Sequence, residues 1–556
     1  MATIVNFHGK NYVEPGAYAA SVYNPTSVTN VAKFGNVMII DTGLSKTEDG
    51  YEFAGGSGVH GELYQGLKSV YQFDSYEDFL SFINGGPIGD IAQKLFEPRS
   101  GVAGCPKLYY VRAAATTCAK IEMTLASASG TGETAKPMVK LTLKCKNEGT
   151  VGNAVVSGGT LKLGYAAQIV AGTDDTSKFK MQVFKGSFMG VDEYGEAYGS
   201  KDFAGAPAYL IAESDEVSTC QEIWDWARSN KVMLANFDVS ISTTVDLERK
   251  IAATGQILAS GGTTDYGDET AYADVLEAIS ELDVTFFLCT NTDVNGGTDA
   301  ATNGKLFTFL KNDAKYTEFM VVPGGSSDDD LLNTQQRTSG TSQAIAKYYD
   351  SEQVVVVHGS PIINRKDGNG TKALSPIYLA ATVIGMAAGG SPQTPITFKR
   401  TGYSNFVYDL KKVEREKALQ AGVMHVRNVN GHWVINQGVT TLQDNKRTYA
   451  EDGQSLELSI ALIKAQLNKE LIISASDRFT GGNVGTVDAA TVKNFVETEL
   501  RSLTVSGGED NLIVDWKNVK VVAKNTDFFC TYEFVPNVPL NKLFFTGNVL
   551  NFSASA

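Results

Sequence analysis

Val284-Thr285-Phe286-Phe287-Leu288-Cys289, Glu318-Phe319-Met320-Val321-Val322 and Val354-Val355-Val356-Val357 are three short apolar runs set among stretches with helical spacing. None of them alternates apolar with polar residues. A strand that buries both faces reads as a continuous apolar run, and both faces are covered where helices pack on each side of a parallel sheet. The helices are at hand in Ala271 to Leu282, in the stretch around Leu306 to Leu310 and in Ser339 to Tyr349. Upstream, Ala208 to Ala212 and Val232 to Phe237 read as further strands, and Thr219 to Lys231 and Val245 to Leu258 as further helices. The run from Pro207 to Arg400 is therefore expected to form an open, doubly wound α/β domain.

The flanks read differently. Residues 116–204 are punctuated by glycines such as Gly130, Gly132, Gly149, Gly152 and Gly164, and Val139 to Leu143 and Met181 to Phe184 alternate. Alternation marks half-buried antiparallel strands, so this stretch is expected to be an inserted β domain. Beyond Ser404, Val423 to Asn428 and His432 to Asn436 flank Asn430-Gly431, a strong hairpin signal. Leu456 to Ile473 and Ala489 to Leu503 have the spacing of amphipathic helices, and Leu512 to Val522 and Phe528 to Val535 read as paired strands. Prolines then bound both ends of the chain: Pro15 and Pro25 near the start, Pro536 and Pro539 near the finish. Proline cannot donate to a strand ladder, so these ends read as extended arms. The expected division is an N-terminal arm (1–30), a first part of the core (31–115), the inserted β domain (116–204), the α/β core (205–402), a C-terminal α+β domain (403–535) and a C-terminal arm (536–556).

With 556 residues the chain is too long for one core and should divide into roughly three or four domains. A formal charge of −14 argues against a nucleic-acid binder, which needs a surplus of Lys and Arg, and against an anionic membrane surface. Six scattered cysteines without a Cys-x-x-Cys pair read as unpaired thiols of a protein made in a reducing cytoplasm. Met1 to Gly9 lacks the basic start and apolar stretch of a signal peptide, and Ile377 to Ala388 is too short an apolar run to span a bilayer.

The search for chemistry is mostly negative. No phosphate loop, His-Glu-x-x-His or Gly-x-Ser-x-Gly is present. Gly56-Ser57-Gly58-Val59-His60-Gly61 matches the dinucleotide loop, but the apolar strand that must precede such a loop is missing, so it reads as a flexible loop. Asp328, Asp329 and Asp330 follow a predicted strand; they read as a helix start, with a divalent-cation site as the other reading. His358 ends the Val354 to Val357 strand and is the best lone catalytic candidate, yet it has no visible partner and reads as a satisfied strand-end histidine. His425 and His432 flank the hairpin and are placed to face each other. Trp224 and Trp226 stand two apart on one helix, so one is expected in the core and the other in an interface. No catalytic, cofactor-binding or metal-ligating residue is assigned, and no cofactor is expected.

The pieces together resemble the tail sheath proteins of contractile-tailed bacteriophages. Pro15-Gly16-Ala17-Tyr18 resembles the family's N-terminal Pro-Gly-Val-Tyr element. Val354 to Val357 followed by Leu379 to Ala388 resembles its segment ending in a helix of small apolar residues. Ala421 to Val423 through Val439 to Thr441 resembles the strand pair before its C-terminal helices, and Phe534 to Pro539 its closing segment. Asn436 to Thr441 stands where many sheaths carry a Trp-Gly-Ala-Arg-Thr-Leu element. The resemblance implies a structural protein, not an enzyme, that stacks as six-subunit rings around a tail tube in the virion. It implies as partners further copies of the chain, the tube protein, and baseplate and tail terminator proteins, with neither nucleic acid nor membrane. The arms would add strands to sheets of neighbouring subunits, and Tyr18, Val22, Leu543 and Phe545 are the expected pairing residues. A nucleotide- or metal-dependent α/β enzyme, or another tail or baseplate component, are the alternatives.

Overall fold

The computed structural model describes residues 5–7, 10–12, 34–42, 70–83, 87–131, 135–146, 149–157, 160–191, 197–199, 209–265, 269–290, 302–312, 317–325, 342–365, 368, 370–442, 457–479, 487–504, 511–524 and 527–537. Its centre is an eight-stranded sheet. Six strands are parallel, in the spatial order Val423–Val429, Val354–His358, Phe319–Pro323, Phe286–Cys289, Val37–Asp41 and Leu108–Arg112. Antiparallel strands close the two edges, His432–Ile435 beside the first and Tyr71–Phe73 beside the last. The apolar runs that opened the sequence are therefore neighbours in one parallel sheet, and each is buried along its whole length.

Alternate residues of these strands serve two separate cores, as the pleat requires. Val37, Ile39, Val355 and Val357 point toward the helices Tyr76–Ile83, Pro87–Phe96 and Pro376–Ala388. Met38, Ile40, Val354 and Val356 point toward Glu269–Ala278, Thr302–Asn312, Ser342–Tyr349 and Lys412–Gln420. Pro376–Ala388 lies against Pro87–Phe96 so closely that a Cβ on Gly385 would stand 2.3 Å from the Lys94 carbonyl oxygen. Only glycine allows that approach.

Four segments differ from the sequence reading. Tyr209–Glu213 pairs with Phe179–Val191 and not with the central sheet. Val232 to Phe237, expected as a strand, is mostly the helix Lys231–Asn236, because the Asn230 side chain caps it by accepting from the Val232 and Met233 amides. A short apolar run fits either state, and the cap decides this one. The expected helix Val245 to Leu258 ends instead in the strand Thr254–Leu258, which pairs with Thr160–Ala171. Val423–Val429 and His432–Ile435, expected in a separate C-terminal domain, extend the central sheet.

Strands from residues 120–258 build a second body around its own core. Lys120–Ala126, Val139–Cys145 and Phe237–Ile241 make one antiparallel sheet; Thr160–Ala171, Phe179–Val191, Tyr209–Glu213 and Thr254–Leu258 make another. Ile121, Leu141, Leu143, Tyr165, Met181 and Phe237 pack between them. The way in and the way out are themselves paired, Ala115–Thr117 against Thr263–Asp265. Toward the C-terminus, the helices Leu458–Phe479 and Ala489–Ser502 pack on a hairpin of Ile513–Lys524 and Asp527–Pro536. The structure is thus mixed α/β with several sheets, as the sequence indicated.

Candidate functional site

Open α/β sheets hold ligands at the carboxyl ends of their strands, above all where the strand order reverses. That point lies between Val37–Asp41 and Phe286–Cys289. Asp41 ends its strand there, fully buried. Its carboxylate accepts the Tyr110 hydroxyl at 2.7 Å and the Thr290 hydroxyl at 3.3 Å, with the Arg112 Nε 3.8 Å away. Thr290 Oγ1 in turn accepts the Thr42 amide at 3.0 Å. The buried charge is spent on tying three strand ends together.

Further along the sheet, Ser342 opens the helix Ser342–Tyr349 and accepts the Gly325 amide at 2.7 Å. Its hydroxyl lies 2.8 Å from His358 Nδ1. His358 is in register with His425 on the next strand. His425 Nδ1 lies 3.3 Å from the Val423 carbonyl and Nε2 lies 3.0 Å from the Asn436 amide nitrogen. Burial, helped by the nearby charges of His358, Arg415 and Arg427, pushes the His425 pKa down to about 3, so the ring is neutral.

A serine and a histidine at this distance could form an activated nucleophile if a substrate could reach them. Ser342 is 0% exposed and His358 only 3%, so the pair joins a helix to a strand and attacks nothing in this conformation. His358 is the satisfied strand-end histidine that the sequence led to expect. Ser342 and Asn436 escaped the sequence reading, because only the register of the sheet brings them to the two histidines. His425 and His432 do not meet: His432 is exposed opposite Val429, and His425 is buried. Trp224 and Trp226 are both half-buried against the second core, although residues two apart on a helix were expected not to share it. Burial also raises the Cys105 and Cys145 thiols to about 12, which removes them as nucleophiles.

Among the described residues no group of three or more His, Cys, Asp and Glu could hold a metal ion. No described helix is long and apolar enough to cross a membrane. Gly56 to Gly61, Asp328 to Asp330 and the expected pairing residues Tyr18, Val22, Leu543 and Phe545 lie outside the described residues.

A long hairpin follows the C-terminal helices. Its strands run 12 and 10 residues, and among the described residues the sheet has only these two. Trp516, Val519, Tyr532 and Phe534 turn toward the helices, while Val514 (63% exposed), Val522 (61%) and Val535 (48%) stay in solvent. The edge of a two-stranded ribbon is a place where a further strand can add.

A two-sided parallel sheet carrying a β-rich excursion and a helix-backed terminal ribbon is an architecture met in solved sheath tail proteins. The crystal structure of the sheath tail protein from Desulfitobacterium hafniense shares it with a TM-score of 0.53, at 14% identity, over 92% of this chain and 99% of that one. The sheath tail protein of Listeria innocua aligns with a TM-score of 0.47 at 14% identity, over 91% of this chain and 96% of that one. In sequence, the chain is 23% identical over 361 residues to the tail sheath protein of Bacillus phage SP01, covering 60% of this chain and 61% of that protein. No protein-family model matches the chain. Sequence and fold together support the phage tail sheath family, the resemblance first read from the residues.

Proposed function

We propose that this protein is the structural subunit of a contractile tail sheath, which polymerises as stacked hexameric rings around a tail tube and contracts to drive the tube through a cell envelope. The observation that carries the reading is the terminal ribbon, with its two long strands and its own helical backing. In this reading the arms at 1–30 and 536–556 add strands to the ribbons of neighbouring copies, with Tyr18, Val22, Leu543 and Phe545 as pairing residues. Each backbone bond gained contributes about 0.5–1.5 kcal/mol net. Such bonds ask for extended strands and not for a fixed angle between bodies, so subunits can change packing while remaining linked. Contraction is then a switch between two packings, released from the baseplate, with the terminator closing the far end. The likeness to structural sheath proteins supports a structural protein over an enzyme.

Negative-stain electron microscopy of the purified chain tests the proposal. Hollow tubes or stacked rings are expected from the full chain, and folded single particles from chains lacking 1–22 or 540–556. Truncated chains that still form normal tubes would refute the arm mechanism. A full chain that stays a compact monomer at every concentration and salt level, even with tail tubes added as a template, would overturn the sheath reading.

A further inference from the structure

At the antiparallel edge of the central sheet a cationic group has no ion-pair partner among the described residues. Arg427 sits on Val423–Val429 opposite Val434, and Val434 is bridged in turn to Arg400 on the segment beyond. Directly opposed residues share one face of a sheet, so Arg427 and the exposed Arg400 flank Val434 on the same face. Arg415, on the helix Lys412–Gln420, is near enough to lower the Arg427 pKa further, after burial as the main cause. Arg415 donates from Nη1 to the Leu410 carbonyl. The Nε of Arg427 is buried without a hydrogen-bond partner, and no carboxylate among the described residues forms an ion pair with it. Its guanidinium is covered on one side by the Phe398 ring, whose centre is 4.5 Å away. Phe398 is 49% exposed, and its backbone stands at φ +61°, a region a bulky aromatic seldom adopts.

A partly desolvated guanidinium beside a second one is unfavourable on its own, and a strained, exposed aromatic beside it adds to the cost. The guanidinium becomes favourable when a carboxylate supplies the missing charge and takes two parallel N–H bonds. We propose that the notch formed by Phe398, Arg400, Arg415 and Arg427 receives an acidic side chain of a second copy of this chain. The occupant follows from charge: with 62 acidic against 48 basic residues, the surface another copy presents is on balance the complement of this local positive cluster. The inference rests on the self-assembly proposed above and adds to it a contact made by side chains and not by strands.

The test compares assembly of the full chain with that of Arg427→Gln, Arg427→Lys and Phe398→Gly by light scattering across protein concentration and salt, alongside the melting temperature of each unassembled protein. Arg427→Gln is expected to raise the concentration needed for assembly about tenfold with little change in melting. Arg427→Lys should recover part of that loss, since it keeps the charge without the fork, and added salt should weaken wild type more than Arg427→Gln. A benzophenone placed at position 398 should crosslink to an Asp- or Glu-bearing peptide of another copy. If Arg427→Gln assembles like wild type, or the benzophenone crosslinks only within its own chain, the notch is not a subunit contact, while the sheath reading stands. If inorganic phosphate alone raises the melting temperature of wild type but not of Arg427→Gln, with assembly unaffected, the occupant is a free anion and the proposal fails. A wild-type chain that never self-associates removes both this inference and the reading beneath it.

Discussion

His425 shows what a single residue contributes in this fold. In an unfolded chain its ring takes a proton near pH 6.5, whereas in the folded chain it does so only near 3. Between those values the unfolded state binds more protons, so acid favours unfolding throughout that window, and above pH 6.5 the residue is indifferent to pH. Each pH unit below 6.5 costs about 1.4 kcal/mol, which makes the loss at pH 5 about 2 kcal/mol. Protonation would also place a charge on Nε2, where the Asn436 amide now donates, and would add to the positive field of Arg415 and Arg427. Urea unfolding of wild type and His425→Gln, followed from pH 7.5 to pH 5, should show wild type losing more stability, with the gap between the two curves changing by about 2 kcal/mol. Curves that stay parallel would mean that the ring is already charged or is reached by solvent.

At the scale of the element, Leu458–Phe479 explains why the sequence could be read in part and no further. Its spacing gives a helix, and a helix is there, but the expected amphipathic face is not: nearly every residue from Leu458 to Ile473 is buried. Two stripes account for this. Leu458, Ala461, Leu462 and Ala465 enter the core of the central sheet, and Ile463, Leu467 and Leu471 enter the core under the terminal ribbon. The ion pair Lys464–Glu352, at 2.9 Å, and the pair Lys469–Asp283 fasten the same helix to the α/β body. Continuous apolar strands such as Val354–His358 were legible because their environment is written in their own residues. Tyr209–Glu213 was misplaced because a short apolar run does not say which sheet it joins, Thr254–Leu258 was read as the end of a helix, and Ser342 and Asn436 were missed because sheet register is a long-range property. The double stripe carries a prediction. Leu462→Ala should cost about 3 kcal/mol, and amide exchange should rise together in Val354–His358 and in Ile513–Lys524. Exchange that rises in the sheet alone would show that the helix does not couple the two cores.

For the whole molecule, the question is how assembly and the β-rich excursion divide the surface. The excursion leaves and rejoins the α/β body through paired strands, with Ala115 directly opposite Asp265. Opposed Cα atoms in an antiparallel ladder are about 4.5–5.5 Å apart, a gap that a two-residue turn closes without strain. Nothing in the cores of the central sheet comes from between those two residues, since Ile121, Tyr165, Met181 and their neighbours pack only among themselves. Replacing 116–264 by Asn-Gly should therefore leave a chain that melts within a few degrees of the α/β transition of the full protein. The ribbon at Ile513–Lys524 and the notch around Arg427 both lie outside the deleted segment, so under the sheath proposal the shortened chain should form the same assemblies in negative stain as the full chain. A shortened chain that unfolds would mean that the paired strands are a buttress of the central sheet. One that folds but no longer assembles would move a subunit contact into the β-rich body, and would leave the ribbon and the notch insufficient to hold a sheath together.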